Sequence, residues 1–252
     1  MCLRSRLLLM IPVILIVCNC SPDKPAPDPA LSYDLMFRQE PVLSHSAVDS
    51  ILAKLELVPF QKLDKDYLKY SESDGPFKAQ LQNKTYYKVY GKAIFKYVAG
   101  KIRIKDLLPQ DSFYIRNLEN LDSNYYQYWL IDKKLLYKTV DLIAELKKGG
   151  YDEYAYEAKH GHRHPQLNYK VGGALGSRHL FGEAIDLRIG DINKDGEANQ
   201  VDKAIVMEIL EKKIIKDKGG IGRYPETMII HYDTRGYKRR WNSYTPAKKL
   251  KK

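Results

Sequence analysis

The sequence predicts an α+β fold: a small antiparallel sheet flanked by helices, preceded by a mixed N-terminal extension. Three observations carry this expectation. Apolar residues recur at helical spacing between Ile131 and Gly149, period-two alternation marks "GEAIDLRIG" and "TMIIHYD", and a second helical spacing lies between those strands. No internal repeat interrupts the pattern.

The first helix puts Leu135, Leu136, Val140, Ile143 and Leu146 on one side, with Asp132 placed as N-cap and Gly149 ending the run. "EYAYEAK" then predicts a short strand leading into "HGHRHPQLN", where Pro165 favours a loop. In "GEAIDLRIG" the alternation sets Ile185, Leu187 and Ile189 against Ala184, Asp186 and Arg188. In "TMIIHYD", Ile229, His231 and Asp233 share one face, opposite Met228, Ile230 and Tyr232. The intervening helix is expected from about Gln200 to Lys213, with Val201, Ile205 and Ile209 at four-residue steps. Upstream, residues 34–128 form a tyrosine-rich, partly alternating region punctuated by Gly91 and Gly100, without a chemical constellation of its own. It is read as an ancillary region ahead of a domain spanning 129–242.

The 252 residues suffice for one moderate domain with an appendage or for two small ones. A formal charge of +11 favours anionic surroundings such as cell-wall polymer or acidic lipid. The lysines are dispersed and no nucleic-acid motif occurs, so nucleic acid is not expected as a partner. The opening "MCLRSRLLLMIPVILIVCNC" has a basic start (Arg4, Arg6) and an apolar run, Leu7 to Val17, too short to span a bilayer comfortably. The Pro-rich stretch "SPDKPAPDPA" begins a tether over 21–33. That layout resembles a bacterial lipoprotein signal over residues 1–20 with Cys20 lipidated; lipidation at Cys18 and an ordinary signal peptide or anchor are the rival readings. The expected location is therefore the cell envelope, exported and membrane-anchored, as a monomer. The basic tail, 243–252, needs only anionic envelope material as company. All three cysteines (Cys2, Cys18, Cys20) fall in the leader, leaving the exported part without disulfides or thiolate ligands.

Any transition metal must then be held by His, Asp or Glu. Of six histidines, His45 stands apart and five lie between 160 and 231. In "SRHLFGEAIDLRIG", His179 and Asp186 could be a metal half-site, an acid/base pair or a buried hydrogen bond. Catalytic zinc takes three nitrogen or oxygen ligands and keeps one open position, and the "IHYD" strand offers His231 as the third. Gly182 and Ala184 are small enough to let backbone approach the ion. A lone strand histidine is more often a satisfied core residue; three such ligands on two buried strands favour metal.

The stretches "GHRHPQLNYKVGGALGSRHLFGEAIDL" and "GGIGRYPETMIIHYDTRGYKRRW" make the domain resemble the M15 family of zinc D-alanyl-D-alanine carboxypeptidases and murein endopeptidases, with an M15/hedgehog-like zinc fold. The S-x-H-x-x-G-x-A-x-D signature stands at Ser177, His179, Gly182, Ala184 and Asp186, and an H-x-D-T strand follows. The resemblance implies His179, Asp186 and His231 as zinc ligands and Arg163 as a carbonyl-binding arginine, with His162 in place of the usual aromatic. His160 and His164 take no role from it and read as solvent-exposed loop histidines. Relatives carry a glutamate base three residues before the last ligand, where this chain has Met228. Asp233 is the candidate base in its stead; the alternative swaps the pair, with Asp233 as ligand and His231 as the acid/base group.

A second signal is "DINKDGEANQVD", which matches a twelve-residue calcium loop with Asp191, Asn193, Asp195, Glu197 and Asp202 as candidate oxygen ligands and Gly196 at the turn. An acidic surface loop is the rival reading. The resulting expectation is a zinc metallopeptidase acting on peptidoglycan peptides, with zinc as cofactor and calcium as a structural second ion. The alternatives are a catalytically inactive zinc-binding domain on the same fold, acting as an envelope binding protein, and a calcium-dependent adhesion module.

Overall fold

The computed structural model describes residues 39–112, 114 and 124–242; the leader with Cys20, the tether and the basic tail lie outside them. Helix α1 (His45–Leu52) is capped by Ser44, whose hydroxyl accepts the Ala47 N–H at 3.1 Å. The alternation in the tyrosine-rich region becomes a three-stranded antiparallel sheet in the order β1 (Glu56–Pro59), β2 (Thr85–Tyr90), β5 (Tyr126–Trp129). Helices α2 (Lys65–Ser71) and α3 (Lys78–Leu81) connect its first two strands. A β3 (Tyr97–Ala99) and β4 (Ile102–Arg103) ribbon and helix α4 (Ile104–Leu107) follow β2.

The long helix forms as predicted: α5 runs over Lys133–Lys148, and the Asp132 carboxylate accepts the Lys134 N–H at 3.1 Å. Its stripe of Leu135, Leu136, Val140, Ile143 and Leu146 is buried. Strand β6 (Tyr156–His160) starts late and reaches further than predicted, taking in His160, and α6 (Pro165–Lys170) turns the expected loop into one short helix. Strands β7 (Ala184–Ile189), β8 (Gly220–Arg223), β9 (Ile229–Asp233) and β10 (Arg239–Asn242) complete a five-stranded sheet in the order β10-β8-β9-β7-β6. All pairs are antiparallel except β10 on β8, a parallel edge that the alternation did not foretell. Helix α7 (Gln200–Ile209) continues into a wide turn over Leu210–Ile214.

The described residues all belong to one compact unit. Val48, Val89, Ile94, Val98 and Leu107 from the upstream region share a hydrophobic cluster with Leu135, Leu142, Ile185, Leu187 and Ile230. Burying these side chains is worth roughly 1.5–3 kcal/mol each, so upstream and downstream regions are packed by a common driving force. Among the described residues no helix is long and apolar enough to cross a membrane.

Candidate metal centre

The strand register fixes the site. His160 on β6 lies opposite Asp186 on β7, Asp186 opposite His231 on β9, His231 opposite Gly222 on β8, and Gly222 opposite Trp241 on β10. Directly opposed residues point to the same side of a sheet, so one row across five strands carries two expected ligands at its middle. His179 joins them from a short 3-10 turn, Arg178–Phe181, just ahead of β7.

The three side chains converge. Asp186 Oδ1 lies 2.8 Å from His231 Nδ1 and 3.3 Å from His179 Nε2, and the two nitrogens are 3.2 Å apart. A tetrahedral zinc with bonds of about 2.0–2.2 Å separates its ligand atoms by roughly 3.3–3.5 Å; small relaxation accommodates the ion. All three residues are buried, and they are the group of ionisable side chains, among the described residues, that could hold a metal.

Outer partners fix the ring orientations. His179 Nδ1–H donates to the Gly161 carbonyl at 2.6 Å, leaving Nε2 as the lone-pair nitrogen. His231 Nε2–H donates to Asp233 Oδ2 at 3.2 Å, which frees Nδ1. Carbonyl and carboxylate partners of this kind set tautomer and raise ligand basicity. Burial would push the Asp186 carboxyl up, but His179 and His231 hold it well below the usual carboxylate range. Burial likewise works against a charged His231, and its bonds to Asp186 and Asp233 outweigh that and raise it. The Asp186 carboxylate is thus in the ionised state that a cation requires, whereas His231 would release a proton on binding one.

Asp233 takes a different place from the one expected of a base. It is fully buried behind His231, where Arg235 grips it through Nε at 2.8 and 3.0 Å and through Nη2 at 2.6 Å, and Gly220 N–H donates at 2.9 Å. Every face of the carboxylate is taken, and the swapped arrangement with Asp233 as ligand finds no support because it stands outside the converging group. Arg163 reaches the second oxygen of Asp186, Nη2 to Oδ2 at 2.8 Å, while its buried Nε has no partner.

The other histidines divide. His164 is buried rather than solvent-exposed: its Nδ1 caps α6 by accepting the Leu167 N–H at 3.1 Å, and its Nε2–H donates to Asp111 at 2.7 Å. His162 is also buried, stacked edge-on against Tyr86, and burial pushes it down to about 3, so it stays neutral. His160 is exposed, as expected of it, but it sits in the ligand row on a strand. A bulge at Lys159, between the pairs of Ala158 and His160, re-aims it toward that row. Although the residue as a whole is exposed, neighbouring side chains partly desolvate its ring, and this with the Arg163 charge brings His160 down to about 4. Tyr224, close enough to feel Asp186 and Arg163, is pushed up to about 12, chiefly by burial, and keeps its proton.

Gly182 serves another purpose than approach to an ion. It adopts φ +64°, and a Cβ there would lie 2.2 Å from the Leu130 carbonyl oxygen; the glycine lets the turn carrying His179 pack on the start of α5. Gly222 clears space for Trp241, whose ring covers His231 at 5.0 Å between centroids. Gly161 and Arg235 took no role in the sequence reading, and Trp241 entered it only as the end of a motif, because carbonyl acceptors and contacts across strands leave no periodic trace.

The twelve-residue acidic loop is organised without a converging set of carboxylates among the described residues. Asp202 Oδ1 accepts the N–H groups of Ile192 (2.8 Å) and Asn193 (2.9 Å), and Oδ2 accepts that of Asn199 (2.9 Å). It is the capping-box partner at the start of α7. Asp191 accepts Asp195 N–H and Gly196 N–H, and Asp195 accepts Glu197 N–H. Asn193 donates to Asp195 at 2.7 Å, and Glu197 is exposed.

Residues 131–233 match the family model described as Peptidase M15. The match spans less than half of the chain and encloses all three converging ligands, which supports a metallopeptidase domain of that family. No curated protein and no solved structure shows a significant match.

Proposed function

From that match and the converging triad, we propose that the domain is a zinc peptidase that hydrolyses peptide bonds in peptidoglycan stem peptides or cross-links, as a D,D-carboxypeptidase or a murein endopeptidase. The observation that carries the reading is the meeting of His179 Nε2, Asp186 Oδ1 and His231 Nδ1 within 2.8–3.3 Å of one another, with both imidazole tautomers held from behind. Zinc bound there supplies Lewis acidity toward a peptide carbonyl and brings the pKa of a water toward 7.

The chain's own residues supply the rest. Asp233, locked by Arg235, orients His231 and does not exchange protons with the reacting water. Proton transfer falls to His160, which is solvent-exposed, neutral near pH 7 and directly across from Asp186. Arg163 orients Asp186 through Nη2 and places a positive charge beside the ligand triad, where negative charge develops on a substrate oxygen. Tyr224, protonated and beside Asp186, is a second donor to developing negative charge. The overall charge of +11 suits an anionic wall polymer, and the lipoprotein-like leader suits an envelope-anchored monomer.

Incubation of the chain lacking residues 1–20 with purified peptidoglycan, with and without a zinc chelator, tests the reading. Chelator-sensitive release of D-alanine indicates carboxypeptidase action, and chelator-sensitive loss of cross-linked dimers indicates endopeptidase action. Stoichiometric zinc with neither product refutes the enzyme and favours the inactive binding domain.

A further inference from the structure

His164 lines a cavity of about 520 Å³ whose described walls include none of the metal ligands. Its neighbour Arg163 bonds Asp186, whereas His164 itself lines the cavity and bonds Asp111. The volume is within the range of small-molecule sites. Nothing in the proposed peptidase chemistry uses it.

Its walls are unusually uniform in character. Five tyrosines, Tyr67 and Tyr70 from α2, Tyr126 and Tyr128 from β5 and Tyr125 just ahead of it, contribute aromatic surface. Asp64 and Asp66 stand exposed at the rim, with Asp111 deeper. Asp111 is committed to His164 and to the Tyr114 N–H, so the uncompensated charge is that of Asp64 and Asp66. Asp64 accepts the Tyr126 hydroxyl and also interacts with that of Tyr128, neither of which neutralises its charge, and the side chain of Asp66 has no ion-pair partner among the described residues. Gln127, 8% exposed, also lines the cavity, and its Oε1 has no hydrogen-bond partner. No lysine or arginine is among the described lining residues, although the chain as a whole carries +11.

Carboxylates, ring faces and an unpaired carbonyl oxygen all want the same thing: a positively charged donor. Ring faces attract cations within about 6 Å of the centroid, and Lys88 Nζ already sits 3.7 Å from the Tyr126 centroid. An anion would be repelled by Asp64 and Asp66 and find no basic side chain among the described lining residues. An uncharged apolar ligand would leave the carboxylates and Gln127 Oε1 unserved. We propose that this tyrosine cavity is a second binding site, separate from the metal centre, for an alkylammonium group. The group can belong to a free amine or to the side chain of a peptide.

Calorimetric titration of the purified chain with n-butylammonium chloride, against 1-butanol as the uncharged analogue, tests this directly. The expected result is saturable binding of the ammonium at least about tenfold tighter than of the alcohol. Asp66→Asn lies on the exposed first turn of α2 and should fold normally; it and the double variant Asp64→Asn/Asp66→Asn should weaken the ammonium about tenfold and leave the alcohol unchanged. Removing metal with a chelator should leave the affinity untouched. An acetyl-Gly-Lys-Gly-amide arm identifies the source: tighter binding than n-butylammonium supports a peptide side chain, and equal or weaker binding supports a free amine. Equal affinity for ammonium and alcohol, binding unaffected by both rim variants, or binding lost on metal removal each overturns the proposal.

Discussion

The ligand row and the acidic loop begin five residues apart in the chain, at Asp186 and Asp191, and they use the same carboxylates in opposite ways. In the row, Asp186 turns one oxygen toward two imidazole nitrogens and has the other held by Arg163. In the loop, Asp191, Asp195 and Asp202 turn their oxygens toward backbone N–H groups. A carboxylate that closes a turn on amide donors is already satisfied by the polypeptide. One that meets ring lone pairs needs a proton or a cation between them. The spacing of acidic residues looks like metal binding in both stretches, and their hydrogen-bond partners differ.

The largest effect that sharpens this contrast is at Asp186. Replacing it by alanine should abolish stoichiometric zinc, measured by atomic emission, and lower hydrolysis by more than the ~100-fold that loss of an outer partner costs. Alanine at Asp191 should leave zinc content untouched. Equal zinc content in wild type and Asp186→Ala breaks the comparison at its stronger end.

Next in size is Asp233→Asn. An amide keeps the shape but weakens the grip on His231 Nε2–H and loses the ion pair to Arg235. Zinc affinity should fall about 10–100-fold, and turnover with saturating zinc should stay within a few-fold of wild type. A variant with undiminished zinc affinity and lost turnover would restore Asp233 to the role of base.

Much of this was legible beforehand, and the reason differs by element. The α5 stripe, the faces of β7 and β9 and the identities of His179, Asp186 and His231 follow from periodicity and resemblance, because alternation reports burial and burial places side chains. The roles of His160, His164 and Asp202 did not follow. His160 depends on a bulge at Lys159, His164 on a partner 53 residues away, and Asp202 on amides ten, nine and three residues earlier. Periodicity says which way a side chain faces but not which donor meets it. The parallel edge strand β10 was illegible for a similar reason, since its half-exposed residues carry little apolar pattern.

Asp202 gives the third prediction. Alanine there orphans three amides and removes a capping box, at about 2 kcal/mol, read as a lower urea midpoint with no change in zinc content. Burial works against the charged form, but the Asn199, Asn193 and Ile192 amides lower the carboxyl below its ordinary value. A carboxyl depressed in the folded state stabilises above its unfolded pKa and loses that contribution as pH falls through the folded one. The stability gap between wild type and Asp202→Asn should therefore be constant near neutrality and narrow below about pH 4.

The smallest effect is the most discriminating for the loop. Asp191 is half-buried and accepts Asp195 N–H at 3.1 Å and Gly196 N–H at 2.9 Å. Water can replace part of these bonds, so Asp191→Ala should cost only about 0.5–1 kcal/mol. A bound ion would add RT ln(1 + [L]/Kd) to the wild type alone, about 2.7 kcal/mol at a hundredfold excess over Kd. The gap between wild type and Asp191→Ala should therefore be the same in chelator and in millimolar calcium. A gap that widens with calcium would mean that the amides only hold the carboxylates ready for a cation, and the two stretches would then differ in the ion they take.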